Sequence, residues 1–301
     1  MLANRLTNMW NRFFFGLGDP TTCDLLRIGF SILGLINLGF LALDGTLWFG
    51  EHGLLPYVAS RTVVEFSTQW TLFALLPKRD WVVWLAIALL AFHLVALLLG
   101  WKSRLQAIAV FVWLVSFQNR NPLILDASDV LFRLLSFFLI LMPLGNRWAI
   151  DSSSKTPTPR KLWALQLVRI QLTLVYFSSA IYKLQSDDWT SGHALYYVFQ
   201  LAQYEHFPIP GFFLQSLLLQ KLVTWAVILV ELLLPFLLWI PRTRLVGVAL
   251  GLVLHLAIFY GMFLFLFQFL MMLLVCSFLK GEEISFAIAY LREKSGRLIR
   301  Q

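Results

Sequence analysis

The chain has 301 residues, 59% of them hydrophobic and only 13% charged, with a mean hydropathy of +0.75. A soluble domain of this size carries about a quarter charged residues, so the composition excludes an ordinary soluble fold and predicts an integral membrane protein. The net charge of +8 reads as membrane topology rather than nucleic-acid binding, because the lysines and arginines are shared unequally between loops.

Residues 1–20 set Trp10, Phe13, Phe14 and Phe15 beside Arg5 and Arg12, the make-up of a short amphipathic helix lying on a membrane surface. The basic, apolar, small-residue order of a cleavable signal is not evident there. Asp19-Pro20-Thr21-Thr22 is a helix start signal. Apolar runs follow at about 24–43, 80–100, 104–118, 129–145, 161–183, 221–240, 244–262 and 264–279, each of spanning or near-spanning length. The last two form one tract, split near Gly261, since a single helix would need roughly 50 Å against a ~30 Å core. The fold expected is all-α, a polytopic bundle of about eight transmembrane helices.

Loop charge tests this count. With the N-terminus inside, inner segments hold fifteen Lys and Arg and outer segments six, with Arg27, Arg133 and Arg169 inside spans. That bias predicts a multi-pass plasma (inner) membrane protein with both termini cytoplasmic. One domain is expected, made of a front half (20–145), an inner linker (146–160) and a back half (161–280), with no large soluble domain after it. Cys23 and Cys276 fall near cytoplasmic helix ends, so no disulfide is expected. The polar loops, about 44–79, 119–128 and 184–220, all fall on the extracytoplasmic side.

The centre of the chain is Gln166 to Tyr197, QLVRIQLTLVYFSSAIYKLQSDDWTSGHALYY. Gln166, Arg169, Thr173, Tyr176, Ala180 and Lys183 recur three or four residues apart, a mostly polar stripe on an apolar helix. Such groups at membrane depth face a bundle interior or a wet cavity. Lys183 reads either as a lysine snorkelling to the headgroups or as a general base neutralised by burial, with Asp187 and Asp188 opposing the second. Arg169 and Glu231 stand near the middles of consecutive spans and are expected to pair, foremost as a buried ion pair that fixes helix register. Asp24 with Arg27, and Asp129 with Arg133, read as local pairs one turn apart. Asn119-Arg120-Asn121-Pro122 through Asp126 and Asp129 reads as a turn capped by Asp129, or equally as a clamp over the Lys183 helix. His52, His93, His193, His206 and His255 are scattered, so no metal site is expected. His255, inside a span, reads as a core histidine or a ligand contact. Nucleic acid and nucleotide partners have no motif in support.

The run YFSSAIYKLQSDDWTSGHALYY resembles the corresponding segment of vitamin K-dependent γ-carboxylases and their bacterial relatives, the HTTM-domain membrane proteins. LLRIGFSILGLINL, FGEHGLLP, LLLGWKSR, SFQNRNPLILDASDVLFRLL, VELLLPFLLWIPRTR and HLAIFYGM follow the order of further family elements, covering roughly 20–280. The resemblance implies a quinol-oxygenating activity of epoxidase or carboxylase type, with reduced vitamin K or menaquinol as cofactor and no metal. It implies Lys183 as the base that deprotonates the quinol, with Tyr176, Asn119 and Asn121 in the catalytic group. Arg120, Asp126, Asp129, Trp189 and His255 would contact substrate. The partners implied are a membrane lipid or quinone and a secreted peptide or protein. Ser179-Ala180 and Tyr182 depart from the family pattern around the lysine. The large soluble domain of the carboxylases has no counterpart, so some short bacterial members, which act with partners on a secreted peptide, set the alternative: a non-catalytic membrane partner in peptide maturation or export. A small-molecule or lipid transporter is the second alternative, disfavoured by the lack of an inverted repeat.

Overall fold

The computed structural model describes residues 2–63, 70–152, 158–204 and 206–298. In chain order the α-helices are α1 (Leu2–Phe15), α2 (Thr21–Leu43), α3 (Gly45–Phe49), α4 (Tyr57–Val63), α5 (Asp80–Leu99), α6 (Ser103–Arg120), α7 (Ala127–Leu141) and α8 (Trp163–Leu184). They continue with α9 (Asp187–Thr190), α10 (Ala194–Val198), α11 (Gly211–Leu214), α12 (Leu217–Trp239), α13 (Arg244–Gly261), α14 (Phe267–Val275) and α15 (Gly281–Leu298). Among the described residues, strand character is confined to a two-residue antiparallel pairing of Leu17 with Lys161 and Gly18 with Arg160. The protein is an all-α polytopic helix bundle. A helix stands at each of the eight predicted apolar runs. Five of them, α2, α5, α8, α12 and α13, are both long and apolar enough to cross a membrane. α6 keeps the length but is diluted by polar residues, and α7 and α14 are short.

The chain forms two compact units, Met1–Gln166 with Lys280–Gln301, and Leu167–Leu279. In the first, α2, α5, α6 and α7 pack around Leu26, Phe30, Leu94, Leu97, Val110 and Phe132, all buried. Phe30 and Phe132 meet edge to face at 5.7 Å. α2 starts at Thr21, where the Asp19 carboxylate accepts from the Thr21 amide at 2.8 Å and hydroxyl at 2.6 Å, confirming the start signal. α5 ends on Gly100 at φ 78°, in the left-handed region, where a Cβ would lie 2.4 Å from Cβ of Ala149. Only glycine serves both demands.

Asp24 and Arg27, both fully buried, form the polar centre of this unit. The Asp24 carboxylate accepts from the amides of Gly145 at 3.0 Å and Arg147 at 2.8 Å, and at longer range from Asn146 and Trp148. Arg27 donates to the carbonyls of Leu97 at 2.5 Å, Leu98 at 2.6 Å and Trp148 at 2.6 Å. The expected local pair is present, with Nε of Arg27 3.6 Å from Asp24, and it also fastens α2 to the end of α5 and to the 145–148 turn. The other expected pair is replaced: Arg133 Nε donates to Gln118 Oε1 at 2.6 Å, and Gln118 in turn donates to the Asp129 carbonyl at 2.9 Å. A neighbouring amide satisfies the arginine without a charge.

In the second unit, α12 packs on α13 and α13 on α14, with α9, α10 and α11 against α12. Leu172, Ile228, Leu234, Leu238, Leu270 and Val275 are buried. Trp239 Nε1 donates to Thr173 Oγ1 at 2.8 Å, tying α12 to α8. α12 carries Pro235 within its length.

Candidate functional site

From Arg169 onward the polar stripe of α8 has partners inside the second unit. Lys183 Nζ donates to Glu231 Oε2 at 2.7 Å, to Oε1 at 2.8 Å and to Ser179 Oγ at 2.6 Å. Serine one turn earlier on the same helix lies on the same face, which is why it meets the lysine. The side chains of Lys183 and Glu231 are 16% and 8% exposed. The face of Trp189 stands 4.9 Å from Nζ, within cation–π range. The chain doubles back to place it: α9 begins just past Lys183, and Trp225 Nε1 donates to the Thr190 carbonyl at 3.0 Å to hold α9 on α12. The turn after α9 uses Gly192 at φ 81°.

The expected Arg169–Glu231 pair is not formed. Glu231 is taken by Lys183, and Arg169 Nε donates to the Ser277 carbonyl at 2.9 Å, with its guanidinium 5.5 Å from the Phe278 ring. The physical reason is stagger. Glu231 lies about 21 Å along α12 from Leu217, at 1.5 Å per residue, and that level meets the end of α8 rather than its middle. Asp187 and Asp188, expected to act on Lys183, form no ion pair with it among the described residues.

A second polar chain lies in the same unit. The Tyr176 hydroxyl is 2.8 Å from His255 Nε2, and His255 Nδ1 is 2.5 Å from Gln268 Oε1. All three are at most 3% exposed. With the amide oxygen facing Nδ1, that nitrogen carries the proton and Nε2 accepts from the tyrosine. Both ring nitrogens are thereby occupied, so His255 orients Tyr176 rather than reaching a ligand. The coupled groups share one electrostatic neighbourhood, Tyr176 with Glu231 and His255 with Lys183. Ser179 stands in the segment that the sequence marks around Lys183, whereas Gln268 is not singled out there. Gln268 is the one amide side chain in the last apolar run, an intramembrane polar group of the kind that marks His255.

An apolar cavity of about 230 Å³ lies in the same unit, and its walls are apolar neighbours of these groups in the chain rather than the groups themselves. Its walls include Leu195 and Phe199 from the α10 segment, Val223 and Val227 of α12, and Leu254 and Ile258 of α13. Val227 is one turn before Glu231, and Leu254 immediately precedes His255.

The remaining candidates belong to the first unit and are held by its own backbone. Asn119 Nδ2 donates to the Trp70 carbonyl at 2.8 Å and Asn121 Nδ2 to Trp48 at 2.9 Å. Arg120, 2% exposed, sends Nη1 to Leu55 and Nη2 to Gly50. This triplet therefore staples Trp48, Gly50, Leu55 and Trp70 to the end of α6. Asp126, not Asp129, is the N-cap of α7, and the two form a capping box: Asp126 Oδ1 accepts from the Ser128 amide at 2.7 Å, and Asp129 Oδ2 from the Asp126 amide at 3.0 Å. The earlier of two acidic residues takes the cap because its backbone is extended while Asp129 is already helical. Among the described residues no cluster of three His, Cys, Asp or Glu is placed to hold a metal ion.

Comparison with known proteins agrees with this architecture. The chain is 24% identical over 237 residues to "Sporulation-delaying protein SdpB" of Bacillus subtilis (strain 168), covering 73% of this chain and 71% of that protein. It is 27% identical over 175 residues to "Uncharacterized protein YitO" of the same organism, about half of each. No solved structure matches. The profile of the HTTM domain matches residues 25–282, a span that takes in the whole second unit and most of the first, and the chain belongs to the HTTM-domain family.

Proposed function

We propose that this protein carries out proton-transfer chemistry on a bilayer-dissolved reduced quinone, of the vitamin K or menaquinol class, in a quinol-oxygenating reaction of epoxidase or carboxylase type. The observation that carries the reading is the doubly bonded Lys183–Glu231 pair one helical turn from an apolar cavity. A cavity of ~150 Å³ holds a benzene ring, so about 230 Å³ has room for a fused two-ring head. The reduced quinone supplies a weakly acidic hydroxyl and a ring that O2 can oxidise. In this reading Lys183 is the basic group that meets that hydroxyl, the Trp189 face limits where the hydroxyl can stand, and the Tyr176–His255–Gln268 chain holds α8, α13 and α14 together beside them. Loop charge supports a reading with Lys183 on the extracytoplasmic side of a plasma membrane and both termini cytoplasmic, where a secreted peptide or protein would meet it.

The test is incubation of the purified protein with reduced menaquinone or vitamin K and O2, with mass-spectrometric detection of the quinone epoxide. Epoxide from wild type and not from Lys183→Ala supports the reading; none from either overturns it. The second reading, a membrane partner in maturation of a secreted peptide, is favoured by the likeness to the sporulation-delaying protein over most of the chain. Peptide maturation that survives Lys183→Ala would select it.

A further inference from the structure

Lys183 donates three hydrogen bonds, two to Glu231 and one to Ser179. In this ion pair with a carboxylate the nitrogen is an ammonium, and the Trp189 ring faces the same charge. A nitrogen in that state has no lone pair to offer. A proton taken from a ligand here must therefore come to rest elsewhere. The Ser179 hydroxyl is no proton store. His255 Nε2 already accepts from Tyr176, and its Nδ1 is committed to Gln268. The carboxylate of Glu231 is the group in contact with Nζ that can gain a proton and keep it.

We infer that Glu231 is the final proton acceptor of this site, with Lys183 the cation that faces the oxyanion so formed. The inference rests on the quinol reading above. In the step, the ligand O–H bond breaks and its electron pair stays on the ligand oxygen. The proton forms an O–H bond on Glu231, and a proton of Nζ turns from the carboxylate to the new oxyanion. One ion pair replaces another, so no additional charge is buried in the apolar surround. A relay in which Nζ first hands its proton to Glu231 and then takes the ligand's ends in the same state. The assignment to Glu231 is therefore independent of the order of events.

The experiment uses the full chain in lipid nanodiscs with vitamin K hydroquinone as probe. Anaerobic infrared difference spectra on binding should show a protonated carboxyl C=O band in wild type and in Glu231→Asp, and none in Glu231→Gln. With O2 added, Glu231→Gln should lose about 100-fold or more in epoxide formation, the scale of a general acid–base contribution, while Glu231→Asp keeps measurable turnover. A merely structural ion pair would give no carboxyl band. Hydroquinone binding without the band, or Glu231→Gln turning over within about twofold of wild type, overturns the inference and leaves the quinol reading standing. Failure of wild type to bind hydroquinone at all overturns both.

Discussion

Replacing Asp24 by alanine removes the acceptor at the centre of the first unit. Two of its backbone bonds are short, to Arg147 at 2.8 Å and Gly145 at 3.0 Å, and two are at 3.4 and 3.5 Å. A hydrogen bond to a charged group contributes about 1.5–3 kcal/mol, so the two short ones give roughly 3–6 kcal/mol. Arg27 keeps its three carbonyl partners but loses its counter-charge while fully buried, a loss of ~3–5 kcal/mol. The two estimates describe overlapping contacts, so the expected destabilisation is about 4 kcal/mol, near a thousandfold in the unfolding equilibrium. Asn at the same position retains one oxygen and should lose about half as much. SDS titration of the protein in mixed micelles, followed by tryptophan fluorescence, measures both. An Asp24→Ala midpoint within about 0.5 kcal/mol of wild type, the usual scatter for inconsequential surface changes, would refute the reasoning, as would equal values for the two variants.

A double-mutant cycle on Lys183 and Glu231 should give a coupling of about 1–3 kcal/mol, as for contacting charged residues, whereas the Arg169–Glu231 cycle should give less than about 0.5 kcal/mol. Equal couplings would contradict the observed pairing. Tyr176→Phe leaves His255 Nε2 buried without a donor and should cost about 1–3 kcal/mol, read by the same titration; Gln268→Leu in that background should then add less than it does alone, because the chain is already broken.

Helix positions were legible because apolar length and capping chemistry are local. Asp19-Pro20-Thr21 marks the start of α2 within a residue, and Gly100 its neighbour's end. Partner choice was less so. Glu231 was matched to Arg169 by assuming that the middle of an apolar run marks the middle of a membrane. α12 breaks that assumption, since its apolar run continues past the end of α8. Arg169 and Lys183 share one stripe of α8, so periodicity alone could not choose between them. The Asn119–Asn121 triplet is polar enough to suggest chemistry, yet each amide and guanidinium ends on a carbonyl tens of residues away, a destination that no local pattern encodes. Gln268 is an isolated amide in apolar surroundings, and no local pattern ties it to His255.

Pro235 has no amide hydrogen, so the carbonyl of Glu231, four residues earlier, lacks its usual donor within α12. The rung missing from the ladder is the one that would tie down the backbone beneath the Glu231 carboxylate. That turn can tilt by small amounts without tearing its neighbours, while the tie to Lys183 sets where the carboxylate rests. The carboxylate paired with Lys183 is thus mounted on the compliant joint of its helix, not on the stiff shaft.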